Sequence, residues 1–124
     1  MLRRLAISGT LAVVSLTVIA IAPASTAAPP TLKGTDGPSF TISLKRNAKA
    51  VKSLSAARYT FVISDKSSRH GFTLEQVKGG KWEKNLAPVS FVGAKTKTVA
   101  LRTGKWKFYC PAHEDDMFGF FTVK

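Results

Sequence analysis

The stretch Gly104–Val123, GKWKFYCPAHEDDMFGFFTV, reads as a strand, a short polar loop and a second strand. Alternation over Lys105–Cys110 puts Trp106, Phe108 and Cys110 on one face and Lys105, Lys107 and Tyr109 on the other. Ammonium groups stay in water, so the face carrying Cys110 is expected to point inward. Phe118–Val123 is expected as the last strand, with Trp106, Phe108, Phe118, Phe120 and Phe121 packing the core. Cys110 is the only cysteine of the 124-residue chain, so it cannot form an internal disulfide.

Working outward, the same period of two recurs upstream. Phe40–Leu44 alternates, Ala48–Leu54 does so weakly through Val51, and Arg58–Ser64 is rich in aromatic and β-branched residues. Tyr59, Phe61 and Ile63 are expected to share a buried face. Phe72–Val77 alternates again, and Thr96–Arg102 reads as a strand with Val99 and Leu101 inward. The region 81–93 carries no clear period, and Pro88 argues against a central strand there. No segment sustains a helical period. The pattern predicts an all-β fold, an antiparallel Greek-key β-sandwich of about seven or eight strands.

The amino terminus has the pattern of an export signal. Arg3 and Arg4 precede an apolar run over Leu5–Ala22, and Ser25-Thr26-Ala27 fits a small-x-small cleavage motif. A retained membrane anchor is the alternative, but Pro23 and the small residues after it favour removal. The expected organisation is a signal peptide over 1–27, a Pro- and Gly-rich leader over 28–38, and one domain over 39–124. No second apolar stretch in the mature chain is long enough to span a bilayer. The expected location is the periplasm, the cell envelope or the outside of the cell, and the expected state is a monomer.

Nineteen Lys and Arg against seven Asp and Glu give a formal charge of +12, or +10 once Arg3 and Arg4 leave with the signal. Export makes nucleic acid an unsuitable partner for this charge. Two readings stand: a solvated basic surface, or attraction to an anionic envelope surface or an acidic partner.

Around Cys110 the loop gathers further metal-binding chemistry. His113 follows three residues later and Met117 four after that. Thiolate and thioether are soft ligands, imidazole suits copper, zinc and iron, and two His with one Cys and a long axial Met form an electron-transferring copper site. The chain has one other histidine, His70, between the strongest strand and the next. A ligand to a metal is a better reason to keep an unpaired thiol in an exported chain than a free, oxidisable one. A Cys-His nucleophile and base would need an orienting polar residue and an oxyanion site, neither of which the sequence offers. Two histidines are too few for the extra metal cluster of a copper oxidase or nitrite reductase. The chain is expected not to be an enzyme.

The segments YTFVISDKSSRHGFTL (Tyr59–Leu74) and GKWKFYCPAHEDDMFGFFTV resemble the cupredoxins, the blue copper proteins, and their plastocyanin-like members in particular. The likeness lies in the Tyr-Cys pair, the Cys-x-x-His spacing and the Met-x-Gly before a last strand. It implies one type 1 copper held by His70, Cys110, His113 and Met117, with electrons passing through His113 and a second route through Tyr109. It further implies redox protein partners. Gly71 departs from the family pattern, which has Asn there, and leaves only a backbone N–H to support the cysteine sulfur. Two other functions fit the same residues: copper storage or delivery with the same ligands, and a metal-free adhesion module acting through the basic surface.

Overall fold

The computed structural model describes residues 9, 12–22 and 27–124. Most of the expected signal peptide, including Ser25 and Thr26 of the cleavage motif, lies outside the described residues. Residues 12–22 have no regular structure and are exposed. Among the described residues no helix is long and apolar enough to cross a membrane.

Among the described residues ten strands follow one another: β1 (Thr31–Asp36), β2 (Ile42–Arg46), β3 (Lys49–Ala50), β4 (Ser53–Leu54) and β5 (Ala57–Asp65), then β6 (Phe72–Lys78), β7 (Trp82–Ala87), β8 (Gly93–Leu101), β9 (Gly104–Tyr109) and β10 (Phe118–Val123). They form two five-stranded sheets, β3-β2-β1-β5-β8 and β4-β10-β9-β6-β7, referred to below as the first and second sheet. The chain crosses between them after β3, β4, β5, β7 and β8, as in a Greek-key sandwich. Unlike the expectation, the sheets are mixed: β1 runs parallel to β5 and β4 parallel to β10.

The core lies between the sheets. Leu32, Leu44, Tyr59, Phe61 and Ile63 from the first meet Phe72, Leu74, Trp106, Phe108, Phe121 and Val123 from the second. Phe72 and Phe108 stack with ring centres 5.7 Å apart. Burying one such side chain contributes about 1.5–3 kcal/mol, which is what holds two sheets together without a disulfide. The Trp106 indole N–H donates to the Arg102 carbonyl and the Tyr59 hydroxyl to the Ser55 carbonyl, so both buried polar tips are satisfied.

Three expectations are corrected. The leader expected over 28–38 contains β1, which sits between β2 and β5. Its inward positions are Leu32, Gly34 and Asp36, so only one of three carries an apolar signal. Gly34 is there because Ile63 and Phe72 fill the space: a Cβ would lie 2.5 Å from Ile63 Cδ1. Phe118 and Phe120 do not pack the core. Phe121 and Val123 take the inward parity of β10, and the other two rings lie outside beneath Lys105 and Lys107. Tyr109, expected in water, is buried, because its hydroxyl donates to Glu83 and Lys107 lies over its ring. Within the unassigned 81–93 region, Trp82–Ala87 is β7, an edge strand that ends before Pro88.

Candidate metal centre

Register brings the two candidate segments together. β6 pairs antiparallel with β9, with Thr73 opposite Tyr109, so the residues just before β6 lie beside those just after β9. His70 and Gly71 therefore meet Cys110 at one end of the sandwich. β9 and β10 form the hairpin whose loop is 110–117, Phe118 facing Tyr109 at its base.

That loop holds itself. The Cys110 N–H donates to the Met117 carbonyl at 3.0 Å, the His113 N–H to the Cys110 carbonyl at 3.0 Å, and the Met117 N–H to the His113 carbonyl at 2.8 Å. Cys110 and Met117 are buried and His113 is half-buried. Glu114 is fixed by Lys107 Nζ at 2.9 Å, while Asp115 and Asp116 point to solvent.

His70 is held by its own turn, which is itself anchored to β1. Its N–H donates to the Ser67 carbonyl at 3.2 Å, and Ser67 N–H donates to Asp65 Oδ1 at 3.1 Å. Lys66 N–H donates to the carbonyl of Asp36. Asp36 and Asp65 face each other across the parallel β1–β5 pair, both buried. Both Asp36 oxygens and Asp65 Oδ2 meet no donor elsewhere in the protein, so a proton shared by the two carboxyls is the available partner. Burial first, then the hydrogen bond and charge of Asp65, push Asp36 up to about 8.

The three donor atoms converge. His70 Nδ1 and His113 Nδ1 are 3.2 Å apart, and Cys110 Sγ lies 3.9 Å from the first and 3.7 Å from the second. The point equidistant from the three corners is about 2.1 Å from each, against metal–ligand bonds of about 2.0 Å to nitrogen and 2.3 Å to sulfur. Two imidazoles and a thiol so arranged fit a soft or borderline metal ion such as copper. Met117 closes the same loop, and its side chain is buried.

Gly71 has a structural reason that the sequence could not supply. Its N–H donates to Cys110 Sγ at 3.4 Å. A Cβ at this position would lie 2.6 Å from the Ala87 carbonyl oxygen and 3.1 Å from the Val89 nitrogen. The backbone at the end of β7 excludes any side chain here, Asn included. The sulfur keeps its backbone donor and nothing more from this residue.

Sequence reasoning missed two features. Phe40, expected as the first residue of a strand, precedes β2 and is 60% exposed. Its ring meets His113 edge-on at 4.8 Å and His70 at 5.5 Å, covering the imidazole pair. Alternation with Ile42 and Leu44 made it look like a strand residue, and no local signal marked it otherwise. The buried Asp36–Asp65 pair was hidden because each carboxyl sits in a segment that reads as polar loop.

A two-sheet Greek-key sandwich with its donor cluster at the β9–β10 end is the cupredoxin fold. Solved structures of that fold align over most of this chain. One of the copper protein rusticyanin has TM-score 0.56 and 17% identity, covering 76% of each chain. Auracyanin A, a "blue" copper protein from Chloroflexus aurantiacus, has TM-score 0.52 and 18% identity over 78% of this chain and 100% of its own. Rusticyanin from Thiobacillus ferrooxidans has TM-score 0.50 and 19% identity over 76% of each chain. No protein-family model matches the sequence, and no curated protein matches it in a sequence search.

Proposed function

We propose that the chain is an exported, monomeric carrier of single electrons, built on one type 1 copper held by His70, Cys110, His113 and Met117. The observation that carries this reading is the triangle of His70 Nδ1, His113 Nδ1 and Cys110 Sγ around a common point at metal-bond distance. Copper at that point supplies a reversible one-electron couple. The protein's part is to hold the donors still. Cys110 and Met117 are fixed by the hydrogen bonds of their own loop, and His70 by the Ser67 and Asp65 contacts behind it. Gly71 N–H stabilises negative charge on the sulfur.

Only His113 among the four is partly open to solvent, so electrons enter and leave through its ring. Phe40 lies against that ring and limits water there. Beside it stand Glu114, Asp115 and Asp116, which favour a redox partner with a locally basic surface. The cluster serves binding and transfer rather than catalysis.

Addition of Cu(II) to the purified mature domain tests the reading. An intense visible thiolate-to-copper absorption, lost in Cys110→Ser, is expected. A colourless protein, or colour that survives the substitution, would overturn it. Fast electron self-exchange with slow copper loss separates the carrier from a protein that stores or delivers the metal.

A further inference from the structure

Cations lie on both sheets of this protein, but its exposed carboxylates keep to one side. Of the seven carboxylates in the sequence, Glu75 and Glu83 lie on the second sheet, and Glu114, Asp115 and Asp116 on the β9–β10 loop. The remaining two, Asp36 and Asp65, belong to the first sheet but are buried beneath it. The strands of the first sheet thus expose no carboxylate at all, while they carry Lys33, Lys45, Arg46, Lys49, Arg58, Lys95 and Lys97.

Two of these cations oppose each other directly. Lys33 on β1 and Lys45 on β2 are antiparallel partners, both exposed on the outer face. Like charges at directly opposed positions repel and weaken the strand pair. Neither has a carboxylate to answer it, since Lys107–Glu114 is the one ion pair among the described residues. The pair lines a cleft of about 600 Å³, joined by Lys66, Thr31, Thr35, Ser43, Asn47 and Ala48. Ammonium groups only donate, and the hydroxyls are free to do so. A cleft with several donors, three positive charges and no acid matches a compact dianion with three or more acceptor oxygens.

We propose that this cleft is a binding site for a phosphate-type oxyanion, with Lys33, Lys45 and Lys66 supplying the charge and Thr31, Thr35 and Ser43 the neutral donors. It lies on the outside of the first sheet, whereas the donor cluster lies in the loops at one end, so the site goes beyond electron carriage and does not depend on it. Bound anion relieves the Lys33–Lys45 repulsion, so it stabilises the folded chain by linkage.

The test is an amide NMR titration of the folded, metal-free protein with inorganic phosphate, against chloride at matched ionic strength. Saturable shifts are expected over residues 31–35, 43–45 and 66, with phosphate only. The double variant Lys33→Gln/Lys45→Gln is expected to weaken the affinity at least tenfold, and Lys81→Gln, an exposed lysine outside the cleft, to leave it within about twofold. These surface changes remove repulsion and leave the core intact, so both variants should fold. Shifts that never saturate, that chloride reproduces, or that Lys81→Gln abolishes equally would overturn the site. Co-sedimentation with phosphatidylglycerol vesicles identifies the source of the phosphate. Vesicle binding lost in the double variant makes it a lipid headgroup, and saturable phosphate binding without vesicle binding makes it a soluble phosphate ester. Vesicle binding that the double variant retains, without saturable phosphate shifts, is attraction by net charge and counts against the cleft.

Discussion

The two segments that build the donor cluster differ in how far they depend on the rest of the fold. The loop 110–117 holds three of the four proposed ligands within eight residues and ties itself together with its own backbone, Cys110 to Met117 and His113 to both. The segment 65–71 supplies one ligand, closes its own turn through Ser67, and is anchored beyond that to distant residues: Asp36 on β1, Cys110 across the sheet, and the chain after β7 pressed against Gly71. One side of the site is held locally, and the other both locally and by the tertiary fold. The two sides therefore answer differently to substitution, and three variants sharpen the contrast.

Gly71→Ala should have the largest effect. Its Cβ would meet the Ala87 carbonyl at 2.6 Å, and backbone cannot move aside as a side-chain end can. A loss of about 1–3 kcal/mol is expected in urea unfolding of the metal-free protein. A loss below about 0.5 kcal/mol would mean that this side of the site yields as easily as a surface loop.

Asp36→Asn should come next, and its effect depends on pH. The folded-state pKa of Asp36, about 8, lies above its ordinary 3.8, so the folded protein keeps a proton that the unfolded chain releases in that window. Stability is full below 3.8, falls as pH rises towards 8, and levels off above it. Asn removes this ionisation and still donates to Asp65. The variant should match the parent near pH 4 and exceed it at pH 8, as thermal melts across that range would register. A pH profile identical to the parent's would show that Asp36 is not the group that titrates.

The smallest effect on stability is expected for Phe40→Ala. Phe40 is 60% exposed, so the melting temperature should move little, yet its ring covers both imidazoles. Loss of Cu(II) to an external chelator should accelerate several-fold. An unchanged rate would assign the ring a merely steric place on the surface.

The legibility of the molecule followed the same division. Period-two alternation in β5, β6, β8 and β9 marked their buried faces, and Tyr59, Phe61, Ile63, Val99, Leu101, Trp106 and Phe108 are all buried as expected. β3 and β4 have two residues each, too few to show a period. β1 escaped because Gly34 and Asp36 occupy inward positions where alternation looks for apolar side chains. Phe118 was placed inward with Phe121 although alternation puts them on opposite faces of β10, whereas Tyr109 is buried because parity gives a side chain's face but not what covers that face.

Local pattern was enough for the sandwich class, the inward-facing Cys110 and a loop that gathers Cys110, His113 and Met117. All of these depend on contacts a few residues apart, where spacing fixes direction. His70 was expected only through the family resemblance, and it is the fold that brings it to Cys110. The fold alone shows that Gly71 must lack a side chain, that Asp36 and Asp65 are buried together, and that the first sheet exposes no carboxylate. Each of those joins residues from different strands, and which strands meet is set by the register and packing of the whole core rather than by any local pattern.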